Sequence, residues 1–201
     1  MPKFRGSHAT IRRNAPVMDL SWKRRGRLAG LAILAAAFVA ANALPDLGAA
    51  AARTGGATGP ETRSSSALDI TLAQLQARAH LDRFFEAVLD DRGIARNGAA
   101  LKVALRDERT GAGSIVWITP FARRGDLLMG TLAAAPAPAL RIRQGDLVRF
   151  NAEDVRDWSF TGADGRMYGN FTTRLVLNAM APDQAARIAA ILSDSPAPAD
   201  W

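Results

Sequence analysis

Residues 154–171 read DVRDWSFTGADGRMYGNF, and this stretch decides the fold class. Asp164-Gly165 is a strong signal for the turn of a β-hairpin, because such turns need backbone conformations that Gly adopts at little cost. Aromatic residues on both sides of the turn are typical of strands that pack across a sheet. The stretch therefore predicts that residues 166–168 fold back on residues 158–160.

The sequence before this hairpin predicts further strands. Runs of alternating or β-branched residues are bounded there by Gly, Pro and Asp, which favour turns. The predicted strands are residues 101–105, 114–121, 127–132, 147–150 and 155–160. Together with the short run after the turn, they predict an antiparallel β-meander of five or six strands.

Helices are predicted at both ends of the strands. Apolar residues recur at spacings of three and four from Asp69 to Leu89, which predicts an amphipathic N-terminal helix. Its apolar face consists of Leu72, Leu75, Ala79, Leu81, Phe85, Val88 and Leu89. Residues 182–192 predict a closing C-terminal helix with Pro in its first turn, and residues 171–177 fit either a strand or a helix. The predicted fold class is α+β, in one domain of residues 68–193.

Residues 1–52 form a basic leader that predicts export. A basic cluster at residues 23–27 precedes an uncharged run, LAGLAILAAAFVAANAL, at residues 28–44, and small residues follow. This is the pattern of a signal peptide, with Met1 or Met18 as the start. The expected location is periplasmic or secreted. The alternative is an N-terminal anchor in the inner membrane with the domain facing the periplasm.

The charge distribution argues against a nucleic-acid partner. Nine of the 26 basic and two of the 19 acidic residues lie in residues 1–53, which leaves 17 of each sign in the rest of the chain. Binding to nucleic acid depends on clustered positive charge. The expected partner is an unknown ligand or protein of the envelope, with membrane contact only through the leader. Residues 53–67 predict a flexible linker and residues 194–201 a disordered tail, from their Gly, Ser, Thr and Pro content.

The residue types present exclude several chemistries. The chain has no Cys, so disulfides and thiolate metal sites are excluded. The domain has one His, His80, without an acid or a second His at helical spacing, and it has no phosphate-binding or dinucleotide-binding Gly motif. We therefore expect no metal, no cofactor and no identified catalytic residue.

The remaining candidates for a site lie in and after the hairpin. Asp157 sits in the middle of a predicted strand and needs a partner if it is buried, for which Arg166 or Arg174 is available. The pair is either a structural ion pair or an acid/base site, and the nearby aromatics either pack across strands or line a cleft. The candidate binding residues are Asp157, Trp158, Arg166, Tyr168, Asn170 and Arg174.

The domain resembles the YegJ-like family of bacterial domains of unknown function. The resemblance spans residues 69–192 and rests on ALDITLAQLQARAHLDRFFEAV, SIVWITPF with LLMGTL, RIRQGDLVRF, and above all EDVRDWSF with DGRMYGNFTTRL. It implies an α+β domain of small exported proteins and transfers no activity, substrate or catalytic residue.

These patterns predict an exported, non-enzymatic domain that binds a ligand or a protein. Two alternatives stay open at this point. One is a hydrolase-type enzyme that uses Asp157 and Arg174, and the other is a purely structural envelope protein.

Overall fold

A computed structural model describes the backbone of residues 60–201 and the side chains of residues 67–201. Within this range the fold is α+β, as predicted, with a six-stranded antiparallel sheet and four α-helices. The helices are α1 Pro60–Ala79, α2 Leu81–Val88, α3 Phe171–Val176 and α4 Pro182–Ile191. The strands are β1 Ala100–Arg106, β2 Gly113–Arg124, β3 Leu127–Leu132, β4 Leu147–Asn151, β5 Val155–Thr161 and β6 Met167–Gly169. Short 3-10 helices occupy Pro138–Leu140, Ala152–Asp154 and Leu177–Ala179.

The strand order departs from a simple meander. The order is β4-β3-β2-β1-β5-β6, so β5 returns to pair with β1 on the side away from β2. Asn151 ends β4 and Val155 begins β5, and four residues span at most about 14 Å. Four strand steps in a flat sheet take about 19 Å. The sheet must therefore curl so that its β4 end approaches the start of β5.

One irregularity that favours this curl lies in β2. The first half of β2 pairs with β1, its second half pairs mainly with β3, and the β2–β3 register shifts between Ile118 and Phe121. Such irregularities bend a strand and increase its twist.

Helices α1 and α2 cover one side of the sheet, which we call the core face. Phe84 and Trp158 are fully buried there and stack with ring centroids 5.0 Å apart. The indole Nε1 of Trp158 donates a 2.8 Å hydrogen bond to the carbonyl oxygen of Ala77. Because Ala73 and Ala77 are small, α1 can approach the sheet closely at this point.

The N-terminal helix differs from its prediction in two ways. It is broken at His80, whose backbone ψ of 7° ends α1 before α2 begins. Leu72 and Leu75, which the periodicity predicts to face the core, are each 57% exposed, and Ala73 and Ala77 are buried in their place. The sheet therefore selects the Ala side of α1, where the backbone can come near the rings of the core.

The predicted ends of the domain also differ from the structure. Helix α1 begins at Pro60, within the predicted linker, and Pro is well suited to the first turn of a helix. The predicted disordered tail packs on the core instead, with Trp201 stacked on Phe160 at 5.4 Å. The predicted leader lies outside the described residues. Within residues 60–201, no helix has the length and apolar character needed to cross a bilayer.

The hairpin is present, but its register differs from the prediction. Phe160 pairs with Tyr168, whereas the predicted pairing of residues 166–168 with residues 158–160 places Tyr168 opposite Trp158. The rings of Phe160 and Tyr168 stack 5.4 Å apart, which is cross-strand packing. The segment that fits either a strand or a helix by its sequence is helical, as α3.

Candidate functional site

The two sides of β5 separate the candidate residues. Trp158 points to the core face, and its neighbour Asp157 points to the other side, because side chains alternate along a strand. We call this other side the open face where it continues over β1–β4. Lys102 and Trp117 lie on it, since Lys102 pairs with Asp157 on one side and with Trp117 on the other.

Asp157 is fully buried and accepts four hydrogen bonds. Its Oδ1 accepts bonds from the backbone N–H groups of Trp158 at 2.8 Å and Phe171 at 3.2 Å. Its Oδ2 accepts bonds from the backbone N–H of Thr172 at 2.8 Å and from the Thr172 hydroxyl at 2.7 Å. The carboxylate therefore holds the first turn of α3 against β5.

The chain places those donors by leaving β6 through two residues in left-handed conformation. Gly169 has φ 78° and Asn170 has φ 58°. A Cβ on Gly169 would lie 2.1 Å from the carbonyl oxygen of Trp158, so only Gly fits there. This reversal turns the amides of Phe171 and Thr172 back toward Asp157.

A lysine on the neighbouring strand extends the arrangement. The Nζ of Lys102 donates a 2.9 Å hydrogen bond to the Thr172 hydroxyl oxygen, and that hydroxyl donates to Asp157. The Nζ also lies 5.8 Å from the centroid of the Trp117 ring. We call Asp157, Thr172 and Lys102 the Asp157 cluster.

Burial governs the titration of the cluster. Burial raises the pKa of Asp157, against the effect of the Thr172 hydrogen bonds and the nearby Lys102. Burial lowers the pKa of Lys102, although the charge of Asp157 works in the opposite direction. The Asp157 carboxylate and the Lys102 ammonium group therefore both lose hydration here. Each charged form is stabilised by the other charge and by the hydrogen bonds around it.

Arg174 and Asn170 serve the junction between α3 and the C-terminal segment. Arg174 donates to the carbonyl oxygens of Gly169 at 3.0 Å and Ser193 at 2.8 Å, and to the Ser193 hydroxyl at 3.0 Å. Desolvation lowers the pKa of Arg174, against the charges of Asp157 and Asp194, which raise it. Asn170 is fully buried, and its Oδ1 has no hydrogen-bond partner among the described residues.

Arg166 and Tyr168 belong to the hairpin rather than to the Asp157 cluster. Arg166 donates to the carbonyl oxygen of Ala190 at 2.7 Å and pairs with exposed Asp194 at 3.7 Å. The Tyr168 hydroxyl donates to Asp164 at 2.9 Å.

The structure thus brings Asp157 and Arg174 near each other without the ion pair that the sequence suggests. In the described part of the chain, neither Arg166 nor Arg174 lies within ion-pair distance of Asp157. The Asp157 charge is met by backbone amides, Thr172 and Lys102 instead. Trp158 is a core residue, so its predicted surface role has no support from its position.

Sequence reasoning missed Lys102 and Thr172. Lys102 carries a signal that the sequence does contain: it is the one Lys in residues 54–201, where the other 16 basic residues are Arg. Thr172 carries no comparable signal, because its role depends on the position of α3. Among the side chains that the structure describes, residues 67–201, no group of three or more His, Cys, Asp or Glu is placed to hold a metal ion.

Fold and site together define an α+β domain with a helix-covered core face and a buried carboxylate on the opposite side of the sheet. The sequence matches a family model over residues 68–191, more than half of the chain. The chain therefore belongs to the family described as "Uncharacterized protein conserved in bacteria (DUF2314)". No curated protein and no solved structure matches the sequence.

Proposed function

We propose that this chain is an exported bacterial domain that acts as a non-enzymatic binding module of the cell envelope. The open face supports this proposal. Ile115, Leu127 and Leu147 lie on it and are 47%, 41% and 49% exposed. Exposed apolar side chains on one face of a sheet are a feature of surfaces that bind partners. The proposed surface is therefore the open face, rather than the hairpin that the sequence favours.

The leader supports a place in the envelope, because basic residues 23–27 precede the uncharged residues 28–44. Mass spectrometry of the N-terminus from bacterial cells tests this part of the proposal. A terminus near residue 44 or 51 indicates cleavage and release, and an intact Met18 in the membrane fraction indicates an anchor. An intact terminus in the cytosol contradicts export. The finer assignment to YegJ-like proteins belongs to the same proposal and rests on the sequence blocks that resemble that family.

A hydrolase that uses Asp157 and Arg174 is not favoured. Both oxygens of Asp157 accept hydrogen bonds from α3 and β5, and Arg174 donates to Gly169 and Ser193. The Asp157 and Arg174 charges hold elements of the fold together. A substitution at either residue is therefore expected to lower stability, rather than to remove only a catalytic group.

A melting-temperature screen of envelope ligands and proteins tests the binding function on the full chain. We expect that a ligand which raises the Tm of the wild type loses its effect on Ile115→Ser. The matched control is Leu72→Ser, which removes an apolar side chain of similar exposure from α1. A shift that survives in Ile115→Ser contradicts the open face as the surface, and turnover of a screened substrate contradicts a binding module. A screen without any binder favours a structural envelope protein.

A further inference from the structure

We propose that the edge of β6 is a binding site for an extended acidic peptide with an aromatic side chain, and that residues 194–201, the tail, occupy this site in the free protein. The site is separate from the open face, so either surface can bind a partner without the other. Three features support it: the way the tail is held, the groups that its departure would uncover, and the charge on both sides.

The tail is held in the manner of a bound peptide. It lies along β6, which is an edge strand of the sheet. The backbone N–H of Gly169 donates a 2.7 Å hydrogen bond to the carbonyl oxygen of Pro196. Trp201 stacks on Phe160, with ring centroids 5.4 Å apart, and lies 5.5 Å from Trp158. A backbone bond to a strand edge, combined with a side chain seated among apolar residues, is a common way for domains to bind extended peptides.

Few bonds tie the tail to the rest of the domain. In the part of the chain that the structure describes, the bond from Gly169 to Pro196 is the one backbone hydrogen bond between residues 194–201 and the residues before them. The tail contains no helix or strand, and every residue in it is at least partly exposed. Segments with so few internal bonds open at a low cost in free energy. We therefore expect the tail to leave and return while the rest of the domain stays folded.

Departure of the tail would uncover groups that a peptide can satisfy. The Gly169 amide would lose its acceptor, and the rings of Trp158 and Phe160 would lose the cover of Trp201. An extended peptide replaces both contacts if it offers a carbonyl oxygen to Gly169 and an aromatic side chain to the two rings. In the tail the aromatic residue lies five positions after Pro196, which gives the spacing that the ligand needs.

The charge and the backbone of the tail define the class of peptide further. The tail contains Asp194 and Asp200 and no basic residue, and Asp194 forms an ion pair of 3.7 Å with Arg166 on the hairpin. Exposed pairs of this kind add little affinity, but they favour an acidic partner over a basic one. Pro196 and Pro198 favour an extended backbone, which lowers the entropy lost on binding.

The tail and a free peptide compete for the same site. A tethered segment acts at an effective concentration on the order of millimolar, and a free peptide binds only those molecules from which the tail has departed. A substitution that weakens the tail should therefore strengthen the binding of a free peptide. If the tail were only a part of the core, the same substitution would lower stability without creating affinity for a peptide.

The test is the fluorescence anisotropy of a labelled peptide with the sequence of residues 194–201, DSPAPADW, titrated with the full chain. Trp201→Ala weakens the tail and leaves the edge of β6 unchanged, so we expect this variant to bind the peptide about tenfold or more tighter than the wild type does. The matched control is Asp200→Ala, which alters the exposed neighbour and should bind the peptide as weakly as the wild type does. A labelled peptide that carries Trp201→Ala should bind the Trp201→Ala chain about tenfold more weakly.

Two further measurements locate the peptide. In ¹⁵N NMR spectra of Trp201→Ala, the peptide should shift the Gly169 amide signal and leave that of Gly125, in the turn before β3, unchanged. Adding Ile115→Ser to Trp201→Ala should not alter peptide affinity, because Ile115 lies on the open face. Trp201→Phe keeps a ring on the core, serves if Trp201→Ala does not fold, and should give a smaller gain in affinity.

Equal peptide affinity for the wild type, Trp201→Ala and Trp201→Phe would overturn the β6 site, as would a Gly169 signal that does not shift. Loss of peptide binding with Ile115→Ser would move the peptide to the open face and also overturn the β6 site, while the proposed function stands.

Discussion

Asp157 is the residue whose role the structure defines most sharply. It is a buried carboxylate that accepts hydrogen bonds from three backbone amides and one hydroxyl, and three of these four bonds join β5 to the start of α3. Because hydrogen bonds satisfy both of its oxygens, the Asp157 carboxylate has a structural role. These bonds also offset the desolvation cost of burying a charged group.

We expect Asp157→Asn to lower the free energy of unfolding by about 2–4 kcal/mol, because the asparagine NH₂ would face amide donors where a second oxygen is needed. Urea denaturation of the full chain measures the change. Asp126→Asn is the control, since Asp126 is exposed in the turn before β3, and it should change stability by less than about 0.5 kcal/mol. Wild-type stability in Asp157→Asn would contradict the structural role.

Tyr168 offers a second measurement at the scale of one residue, because it is the chain's one Tyr. Its hydrogen bond to Asp164 raises the pKa of Tyr168, and the Arg166 amide and the same bond lower the pKa of Asp164. The stabilisation from the protonated Tyr168 hydroxyl is therefore fully present at pH values below the ordinary tyrosine pKa. It is lost as pH rises through the raised pKa of Tyr168 in the folded state. The Asp164 contribution is present above the ordinary aspartate pKa and is lost as pH falls through the lowered value.

Ultraviolet titration of tyrosinate should show the Tyr168 pKa falling toward its ordinary value in Asp164→Asn. The substitution removes the charge that disfavours ionised tyrosine. Asp200→Asn should produce a smaller fall, since Asp200 acts only through space. Equal titration curves for the wild type and Asp164→Asn would show that the bond is absent in solution.

At the scale of elements, the turn from β6 into α3 positions the Asp157 cluster. Gly169 is the point where the chain reverses, and its α-hydrogen faces the Trp158 carbonyl. Gly165, in the hairpin turn, has a similar φ of 76°, but no other atom lies within 4 Å of the place that a Cβ would occupy. A comparison of substitutions at the two glycines therefore separates the energetic cost of a left-handed backbone from the cost of a steric clash.

We expect Gly165→Ala to lower the free energy of unfolding by about 1–2 kcal/mol, the cost of a left-handed conformation. Gly169→Ala should cost about 3–5 kcal/mol or prevent folding, because its Cβ would also clash with backbone. Thermal and urea unfolding measure both variants, and costs of equal size would contradict the close contact at Gly169.

Structure that is determined by neighbouring residues could be predicted from the sequence, and structure that is determined by residues far along the chain could not. The turn signal at residues 123–126 and the apolar run after it predict β3 with its observed bounds, and the Asp164-Gly165 turn predicts the β5–β6 hairpin. The burial of Ala77 instead of Leu75 depends on where Trp158 lies, 81 residues beyond Ala77. Helical periodicity contains no information about that partner.

The same limit applies to the candidate site. Asp157 stands out in the sequence because a carboxylate in mid-strand needs a partner, which is a local argument. Its partners come from α3 and from Lys102 on β1, and the pairing of β1 with β5 is a property of strand order. Arg174 is a suitable partner by charge, yet its bonds go to the C-terminal segment.

At the scale of the whole molecule, the C-terminal segment closes the curled sheet. The carbonyl oxygen of Pro196 accepts a 2.7 Å bond from the Gly169 amide, and Ser193 accepts bonds from Arg174. Trp201 then covers Trp158 at 5.5 Å and Phe160 at 5.4 Å. Residues whose composition predicts disorder thus complete the core beside the edge of the sheet.

We expect Trp201→Ala to lower the free energy of unfolding by about 1–3 kcal/mol, because two aromatic contacts and part of a large apolar surface are lost. Asp200→Ala is the matched control: it alters the exposed neighbour and should leave stability within about 0.5 kcal/mol of the wild type. Urea denaturation of the full chain measures both. If Trp201→Ala is as stable as Asp200→Ala, the tail does not pack in solution and the core ends at α4. If the loss appears, the folded unit extends to residue 201, ten residues beyond the end of the family match.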